Sequence, residues 1–306
     1  MSQLVAVKNA TSSTSSMSSH LSYYVYKVWT VEGDIRVSHL PFMESGPWSV
    51  LAIISAYLYF VKVYGPAMMK SRPALSLKEV MVAYNFFMVL LSFWMFYEGC
   101  MFLNFGLDTW GCGKNDYVSD TLTSKRFIFV AWCFFFSKII EFVDTIFMVL
   151  RKRFDQISNL HVIHHSVVPI TCWLGIKFAP VGSNSWFPLM NSLVHTIMYA
   201  YFGLMSMSNS LPSEIVNILK VYKPWLTRLQ ILQFCFALLH VLVSSVAAFT
   251  TCPSGHLPKT FFVLNLGNAL LFLALFCNFY RVSYLKSQEM KATSFEKKAR
   301  PGVKHE

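Results

Sequence analysis

The sequence predicts an all-α membrane protein with seven transmembrane helices. Of its 306 residues, 55% are hydrophobic and 16% aromatic, whereas only 13% are charged. A soluble globular chain carries about 25% charged residues. The mean hydropathy is +0.46, and apolar stretches of about 20 residues, long enough to cross a bilayer, recur along the chain. Because backbone groups in lipid must be satisfied within their own segment, each stretch is expected to be a helix.

Seven stretches have the length and apolar character of a membrane span. The third and fourth contain ionisable residues, and the fifth and sixth are the weakest because polar residues interrupt them. The spans are predicted at 48–66, 79–103, 127–150, 159–178, 185–207, 227–250 and 260–284. They form one domain, 48–284, between an N-terminal segment, 1–47, and a basic tail, 285–306.

A histidine box lies inside the fourth span. The segment reads NLHVIHHSVVPITCW (159–173), so His161, His164 and His165 stand at i, i+3 and i+4 and share one helical face. Ionisable groups at membrane depth are costly and usually functional. The sequence therefore predicts that the chemistry of this protein happens at this box.

Polar side chains also lie in the neighbouring spans. In the third span, Lys138, Glu141 and Asp144 recur every three residues, and their charges either compensate one another or serve the histidines. The fifth and sixth spans carry Asn191, His195, Tyr199, Tyr201, Thr227, Gln230 and Gln233. His240 stands alone, and a lone histidine is more often a core residue.

Depth arithmetic brings these groups together. Asp144 lies about 9 Å from the cytosolic end of its span and His164 about 8 Å from that end of the next, at about 1.5 Å per residue. The short loop between them predicts antiparallel neighbours. We therefore expect one polar cavity that opens to the cytosol, with an apolar, aromatic interior that suits an amphiphile.

The positive charges predict the orientation. A lumenal N-terminus places most of the 26 Lys and Arg residues on the cytosolic side, including 151–153 and the tail, as the positive-inside rule expects. The net charge of +11 then lies mainly at that surface. It can contact anionic headgroups or, beside the histidine box, an anionic substrate.

The segments outside the spans predict little chemistry. The N-terminal segment contains a Ser/Thr-rich stretch, and we expect it to be lumenal and partly disordered; Asn9 is its glycosylation sequon. Of seven cysteines, Cys112 and Cys252 fall in two far-side loops and could pair in an oxidising lumen, with Cys100 as a competitor. The others are expected to be inert thiols within spans.

Four motifs together resemble one family. They are KIIEFVDT (138–145), HVIHH (161–165), NSLVHTIMYAYF (191–202) and TRLQILQF (227–234). In order and spacing the chain resembles the very-long-chain fatty acid elongases of the ELO family, membrane condensing enzymes of the endoplasmic reticulum, over roughly residues 45–285. One departure is Phe202, where the family often has Tyr; we expect it to affect little beyond packing.

The resemblance implies a fold and a reaction. Six of the seven spans are expected to enclose a substrate tunnel closed on the lumenal side. Acyl-CoA and malonyl-CoA would give 3-oxoacyl-CoA, CO2 and CoA, with no cofactor and no metal. Expected partners are these two substrates and membrane lipid, with a ketoacyl reductase, a dehydratase, an enoyl reductase and a second copy of the chain as further candidates; no nucleic acid is expected.

Roles for the site residues follow from this reaction. A neutral imidazole is a competent acyl acceptor, so His164 is predicted to carry the acyl group. His195 would place the acyl group or polarise a carbonyl, and His161 and His165 would move protons or stabilise oxyanions. Asp144 and Glu141 would fix imidazole tautomers. Substrate and CoA binding is assigned to Lys138, Arg151, Arg153, Gln156, Asn191, Tyr199, Tyr201, Lys223, Thr227, Gln230 and Gln233.

Two other functions fit part of the pattern. A di-iron lipid desaturase or hydroxylase also uses an HxxHH box, because iron takes several imidazoles, but such enzymes need further boxes and this chain has one. A seven-helix receptor or transporter that binds lipid without chemistry fits at the level of fold alone. It leaves three histidines near Glu141 and Asp144 without a purpose. The acyl chain length that is preferred does not follow from the sequence.

Overall fold

The computed structural model describes residues 22–110, 121–250 and 259–285, and within these ranges the chain is helical without a β-strand. Eight long helices follow in chain order, and we number them α1 to α8. They are α1 (Trp48–Met69), α2 (Lys78–Phe102), α3 (Leu122–Ile140), α4 (Phe142–Leu150), α5 (Asn159–Phe178), α6 (Trp186–Ser206), α7 (Ser213–Thr250) and α8 (Lys259–Tyr280). Short helical turns lie at Tyr23–Lys27, Val28–Val31, Ile35–Val37, Asn104–Thr109, Phe154–Gln156, Gly182–Ser185, Ser208–Ser210 and Arg281–Leu285.

Each of the seven predicted spans falls on a helix, and the third is divided into α3 and α4 at Glu141. Within the described ranges, four helices are long and apolar enough to cross a membrane: α1, α2, α7 and Thr260–Leu285, which contains most of α8. These helices indicate a membrane protein. The remaining predicted spans contain the charged and histidine residues that lower their hydropathy, so the count of seven spans stays a prediction.

Local sequence signals set the start of the helices that carry the site. The Thr121 hydroxyl accepts a hydrogen bond from the backbone of Ser124 at the start of α3, and the Ser158 hydroxyl accepts one from the backbone of His161 at the start of α5. Such caps satisfy donors that a helix leaves unpaired. Inside α5, Pro169 has no N–H, so the carbonyl of His165 four residues earlier lacks its helical partner.

The long helices form a bundle with two distinguishable ends. α2 packs along α6, α7 along α8, and α3 against α5. At the end that we call the basic end, Leu75 donates to the carbonyl of Leu150 and Lys78 donates to Ser210. At the opposite end, which we call the distal end, His240 lies 3.1 Å from the carbonyl of Thr109. The histidine box therefore lies between two ends of the bundle, and hydrogen bonds between different segments of the chain hold each end together.

The part of the N-terminal segment that the structure describes packs against the distal end. Val37 and Met43 are fully buried together with Trp173 of α5. The Trp173 indole donates to the carbonyl of Phe42 at 2.7 Å, and the Lys177 ammonium donates to the carbonyl of Met43. Asn9 and the Ser/Thr-rich stretch up to residue 21 lie outside the described residues, so the predicted disorder there stays a prediction.

Replacing Trp173 by phenylalanine should lower the stability of the purified protein. The change removes the donor of the partly buried Phe42 carbonyl, and a buried acceptor without a partner costs about 1–3 kcal/mol. The matched control is Trp225→Phe, because Trp225 is 57% exposed and surface substitutions usually change stability by less than about 0.5 kcal/mol. Thermal unfolding in detergent measures both. Equal melting temperatures for the two variants would contradict the anchoring role of Trp173.

Candidate active site

The break between α3 and α4 brings a charged network into the bundle. Lys138 donates to the Glu141 carboxylate at 2.7 Å and to the Asn191 side-chain oxygen at 2.9 Å. Nδ1 of His195 lies 3.1 Å from the same Glu141 oxygen. All four residues are buried. The charges of Lys138 and Glu141 do compensate each other, but they also hold two polar residues of α6.

This network is costly to disturb. A buried charge that loses its partner destabilises a protein by about 3–5 kcal/mol. The Lys138 ammonium also lies 4.5 Å above the centre of the Phe134 ring, an attractive cation–π arrangement. Glu141 is therefore held rigidly beside His195. Nδ1 of His195 lies between the Glu141 carboxylate at 3.1 Å and the Lys138 ammonium at 3.5 Å, so an acidic and a basic group together fix the orientation of the ring.

Asp144 has a different partner from Glu141. The Tyr199 hydroxyl donates to the Asp144 carboxylate at 2.7 Å, and Tyr84 of α2 packs edge-on against Tyr199 with ring centres 6.0 Å apart. The hydrogen-bond partner that the structure shows for Asp144 is thus a phenol, whereas the carboxylate beside an imidazole is Glu141. The predicted role of Asp144 in fixing an imidazole tautomer has no direct contact behind it.

The histidine box occupies the inner face of α5. Nε2 of His161 lies 2.7 Å from the Thr145 hydroxyl, which is also hydrogen-bonded to the Tyr57 hydroxyl of α1. The His161 and His165 rings are 4.3 Å apart, and those of His164 and His165 are 5.2 Å apart. The three imidazoles therefore form one cluster, in which Thr145 determines how His161 is oriented.

His164 differs from His161 in its surroundings. Its ring contacts two rings of α8, Phe272 at 5.2 Å and Phe276 at 6.3 Å between centres. Among the hydrogen bonds of residues 22–110, 121–250 and 259–285, none involves the His164 side chain. Both of its ring nitrogens are thus left for a ligand in the part of the chain that the structure describes.

A cavity of about 150 Å³ lies beside this cluster, on the side toward the distal end, and the three histidines of the box are not among its lining residues. Phe272, which contacts His164, and Phe134, which contacts Lys138, both line it. The other lining residues come from α2, α3, α5, α6, α7 and α8 and from the connecting segments at 103 and 179–185, whereas α1 contributes none. Most of the lining near the histidines is apolar.

The residues that were predicted to bind CoA lie toward the basic end. Arg151 donates to the sulfur of Met81 at 3.2 Å, and Arg153 forms an exposed ion pair with Asp155. The remaining predicted binding residues lie as follows: Gln156 and Lys223 are exposed, Thr227 lies 3.5 Å from the Tyr284 hydroxyl, Gln230 lies 3.5 Å from the Met198 sulfur, and Gln233 and Tyr201 are buried.

Sequence reasoning did not assign roles to Tyr57, Tyr84 and Thr145. Thr145 stands next to Asp144 in the third span, so its place in the motif was the available signal. Tyr57 and Tyr84 lie in the first two spans, outside the four motifs that carry the charged and histidine residues. Each is a single phenol on a helix whose rotation about its own axis cannot be read from the chain. Only the packing of α1 and α2 against α4 brings them to the site.

Cys112 and Cys252 lie outside the described residues, so the predicted disulfide between them stays a prediction. The five cysteines within the described ranges are free thiols, and Cys100 is one of them. In the same ranges, no three His, Cys, Asp or Glu side chains converge as a group that would hold a metal ion.

Comparison with known proteins decides the family. The model described as the ELO, or GNS1/SUR4, family matches residues 42–292. The chain belongs to the ELO family. The four sequence motifs, at 138–145, 161–165, 191–202 and 227–234, all fall within this match. The family resemblance inferred from them is therefore confirmed.

Relatives within this ELO family align over most of the chain. A Rattus norvegicus protein named very long chain fatty acid elongase 7 is 35% identical over 274 residues, covering 88% of this chain and 92% of the rat protein. The Homo sapiens very long chain fatty acid elongase 1 is 34% identical over 279 residues, covering 91% and 96%. A very long chain fatty acid elongase of Aedes aegypti is 35% identical over 271 residues, covering 86% and 70%.

Proposed function

We propose that this protein condenses long-chain acyl-CoA with malonyl-CoA to give 3-oxoacyl-CoA, CO2 and CoA. Membership of the ELO family and the names of the relatives support a role in fatty acid elongation. The observation that carries the specific reaction is His164, an imidazole without a hydrogen-bond partner among the described residues, beside an apolar cavity. A nucleophile at the mouth of a space for an apolar chain is what acyl transfer requires.

The reaction runs in two halves. The lone pair of His164 attacks the thioester carbonyl, a C–N bond forms, the C–S bond breaks, and CoA leaves and takes a proton. Malonyl-CoA then loses CO2, and the enolate that forms attacks the acyl-imidazole. The new C–C bond forms as the imidazole leaves with its electron pair and takes up one proton from the solvent, which restores neutral His164. No electron is exchanged with an outside oxidant or reductant, so atoms and charge balance without a redox partner.

The buried network positions the second histidine for this chemistry. Nδ1 of His195 lies between the Glu141 carboxylate and the Lys138 ammonium, and Lys138 is itself held by Glu141 and Asn191. His195 would then turn its other nitrogen toward the acyl carbonyl or the enolate. His161 and His165 would move protons, with Thr145 orienting His161. Asp144 would act through the Tyr199 hydroxyl rather than on an imidazole.

The surroundings of the site fit the two substrates. The basic residues near the basic end, Arg151, Arg153 and Lys223 among them, would meet the phosphates of CoA. The apolar cavity between six helices would take the acyl chain. In this proposal the protein lies in the endoplasmic reticulum membrane with a lumenal N-terminus and seven spans. The later enzymes of elongation would take the product from the cytosolic side.

The purified protein should convert acyl-CoA and labelled malonyl-CoA to 3-oxoacyl-CoA and release CO2 in equal amounts without added metal or nicotinamide. Mass spectrometry measures the 3-oxoacyl-CoA, and counting of the released label measures the CO2. A chelator should leave the rate unchanged. Iron that co-purifies in stoichiometric amount, with activity lost on chelation, would instead indicate the di-iron reaction. Binding of acyl-CoA without CO2 release would indicate a lipid-binding protein.

A further inference from the structure

The cavity changes in chemical character along its length. Near the histidines its walls are apolar, with Phe134, Val168, Phe234 and Phe272. At the distal end the walls carry polar side chains: Ser183, Asn184, Ser185, His240, Asn265 and Asn268. An unsubstituted acyl chain ends in a methyl group, which makes no hydrogen bond. Polar groups in a buried wall are costly unless they are hydrogen-bonded, so this end is not what such a chain needs.

His240 presents an acceptor at this end. Its Nε2 atom lies 3.1 Å from the carbonyl oxygen of Thr109 and 3.2 Å from the Thr109 hydroxyl. The carbonyl only accepts, so Nε2 carries the proton; the hydroxyl donates its own proton to the carbonyl of Gly106 at 2.7 Å. In the neutral ring, Nδ1 therefore holds a lone pair. Both hydrogen bonds that the structure gives His240 use Nε2, which leaves Nδ1 for a ligand.

The imidazole of His240 is held rigidly. Trp186 stacks on it with ring centres 5.0 Å apart and planes at 13°, and Trp110 meets it edge-on at 4.8 Å. His240 is only 4% exposed, although it lines the cavity. A ring fixed on one face, one edge and one nitrogen presents its remaining nitrogen in a constant direction, as a binding site requires.

Amide groups supply hydrogen-bond donors and further acceptors on the facing walls. The Asn265 side chain donates to the side-chain oxygen of Asn184 at 2.7 Å, which ties α8 to the turn before α6. Asn268 lies one turn further along α8 and also lines the cavity. An acceptor on α7 and amides on α8 thus border the same small volume. A hydroxyl, which both donates and accepts, matches this pairing.

We propose that the distal end of the cavity binds a hydroxyl group at the far end of the acyl chain, so that ω-hydroxyacyl-CoA is a substrate. The inference rests on the proposed condensation and adds a substrate class to it. The hydroxyl donates to Nδ1 of His240 and accepts from the Asn268 amide, while the thioester lies at His164. These two hydrogen bonds replace the ones to water that the hydroxyl loses when it enters the protein.

The test compares each acyl-CoA with its ω-hydroxy counterpart of the same length, using the length at which the unsubstituted substrate has the highest kcat/KM. For the unaltered protein, the two kcat/KM values should agree within about tenfold. The variants are His240→Phe, which keeps the ring shape, and Asn268→Leu. In each, the kcat/KM of the hydroxylated substrate should fall at least about tenfold relative to that of the unsubstituted one, because a buried hydroxyl without a hydrogen-bond partner is costly. The control His39→Phe makes the same change at an exposed position and should leave the ratio unaltered.

Each outcome decides between the claims. A ratio that is the same in the unaltered protein, in His240→Phe and in Asn268→Leu would overturn the hydroxyl site while leaving the condensation intact. Strong rejection of the hydroxylated substrate by the unaltered protein would overturn it as well. Absence of product from the unsubstituted acyl-CoA would overturn the proposed function and the hydroxyl site with it. Asn268→Leu keeps the test decisive if His240→Phe does not fold.

Discussion

Replacing His164 by alanine is expected to abolish condensation and also the release of CoA from acyl-CoA when malonyl-CoA is absent. Neither His164 nor His165 has a side-chain hydrogen bond among the described residues, and His164 differs in that its ring touches Phe272 on the cavity wall. Loss of a catalytic nucleophile lowers kcat by about 10⁴-fold or more. His161→Ala and His165→Ala should be less severe, because those residues orient groups and move protons. The melting temperature of each variant is the control for loss of folding, and it should stay close to that of the unaltered protein.

The covalent intermediate provides the decisive measurement. Protein incubated with acyl-CoA alone should gain the mass of one acyl group, and peptide mapping should place it on His164. Cys133→Ala and Cys172→Ala are the controls for a thiol nucleophile, and both should retain the adduct. An adduct on Cys172, which lines the cavity, would reassign the nucleophile. Normal turnover without any adduct would show direct condensation, with His164 acting only as a base.

Gly175→Phe is expected to shorten the acyl chains that the protein accepts. Gly175 lies on the cavity wall in α5, and a Cβ added there meets nothing within 4 Å. A phenylalanine ring would therefore project into the cavity and exclude the far part of the chain. Each methylene kept out of the cavity forfeits about 0.8 kcal/mol. The kcat/KM of the longest substrates should thus fall by about tenfold or more for every two methylenes excluded, while short substrates keep theirs.

Gly267→Phe is the matched control for this change. Gly267 lies in α8, and an added Cβ there also meets nothing within 4 Å, but the residue is exposed on the outside of the bundle. Its product distribution should equal that of the unaltered protein. Products of the two variants are compared by mass spectrometry from a mixture of acyl-CoA lengths. Equal distributions for both variants would show that the acyl chain does not occupy this cavity.

Much of the fold could be predicted from the sequence because helix formation is governed locally. Apolar runs, the Ser158 cap and the i, i+3, i+4 spacing of the histidines all act within a few residues of one another. The break at Glu141 could not be predicted, because the third span contains no proline or glycine that would signal the end of a helix. The burial of the N-terminal segment could not be predicted either. Val37 and Met43 lie outside any apolar run long enough to span a bilayer, and only Trp173 and its neighbours bury them.

The sequence by itself determined that the chain is all-α, that it belongs to a membrane, and that His161, His164 and His165 share a face with Glu141 and Asp144 nearby. Only the tertiary structure decided which carboxylate meets which group: Glu141 meets His195, and Asp144 meets Tyr199, 54 and 55 residues away along the chain. It also decided that Tyr57 reaches the box and that the cavity ends in polar walls. The physical reason is that periodicity specifies the face of one helix, whereas contacts between helices depend on the rotation and depth at which side chains of different helices pack.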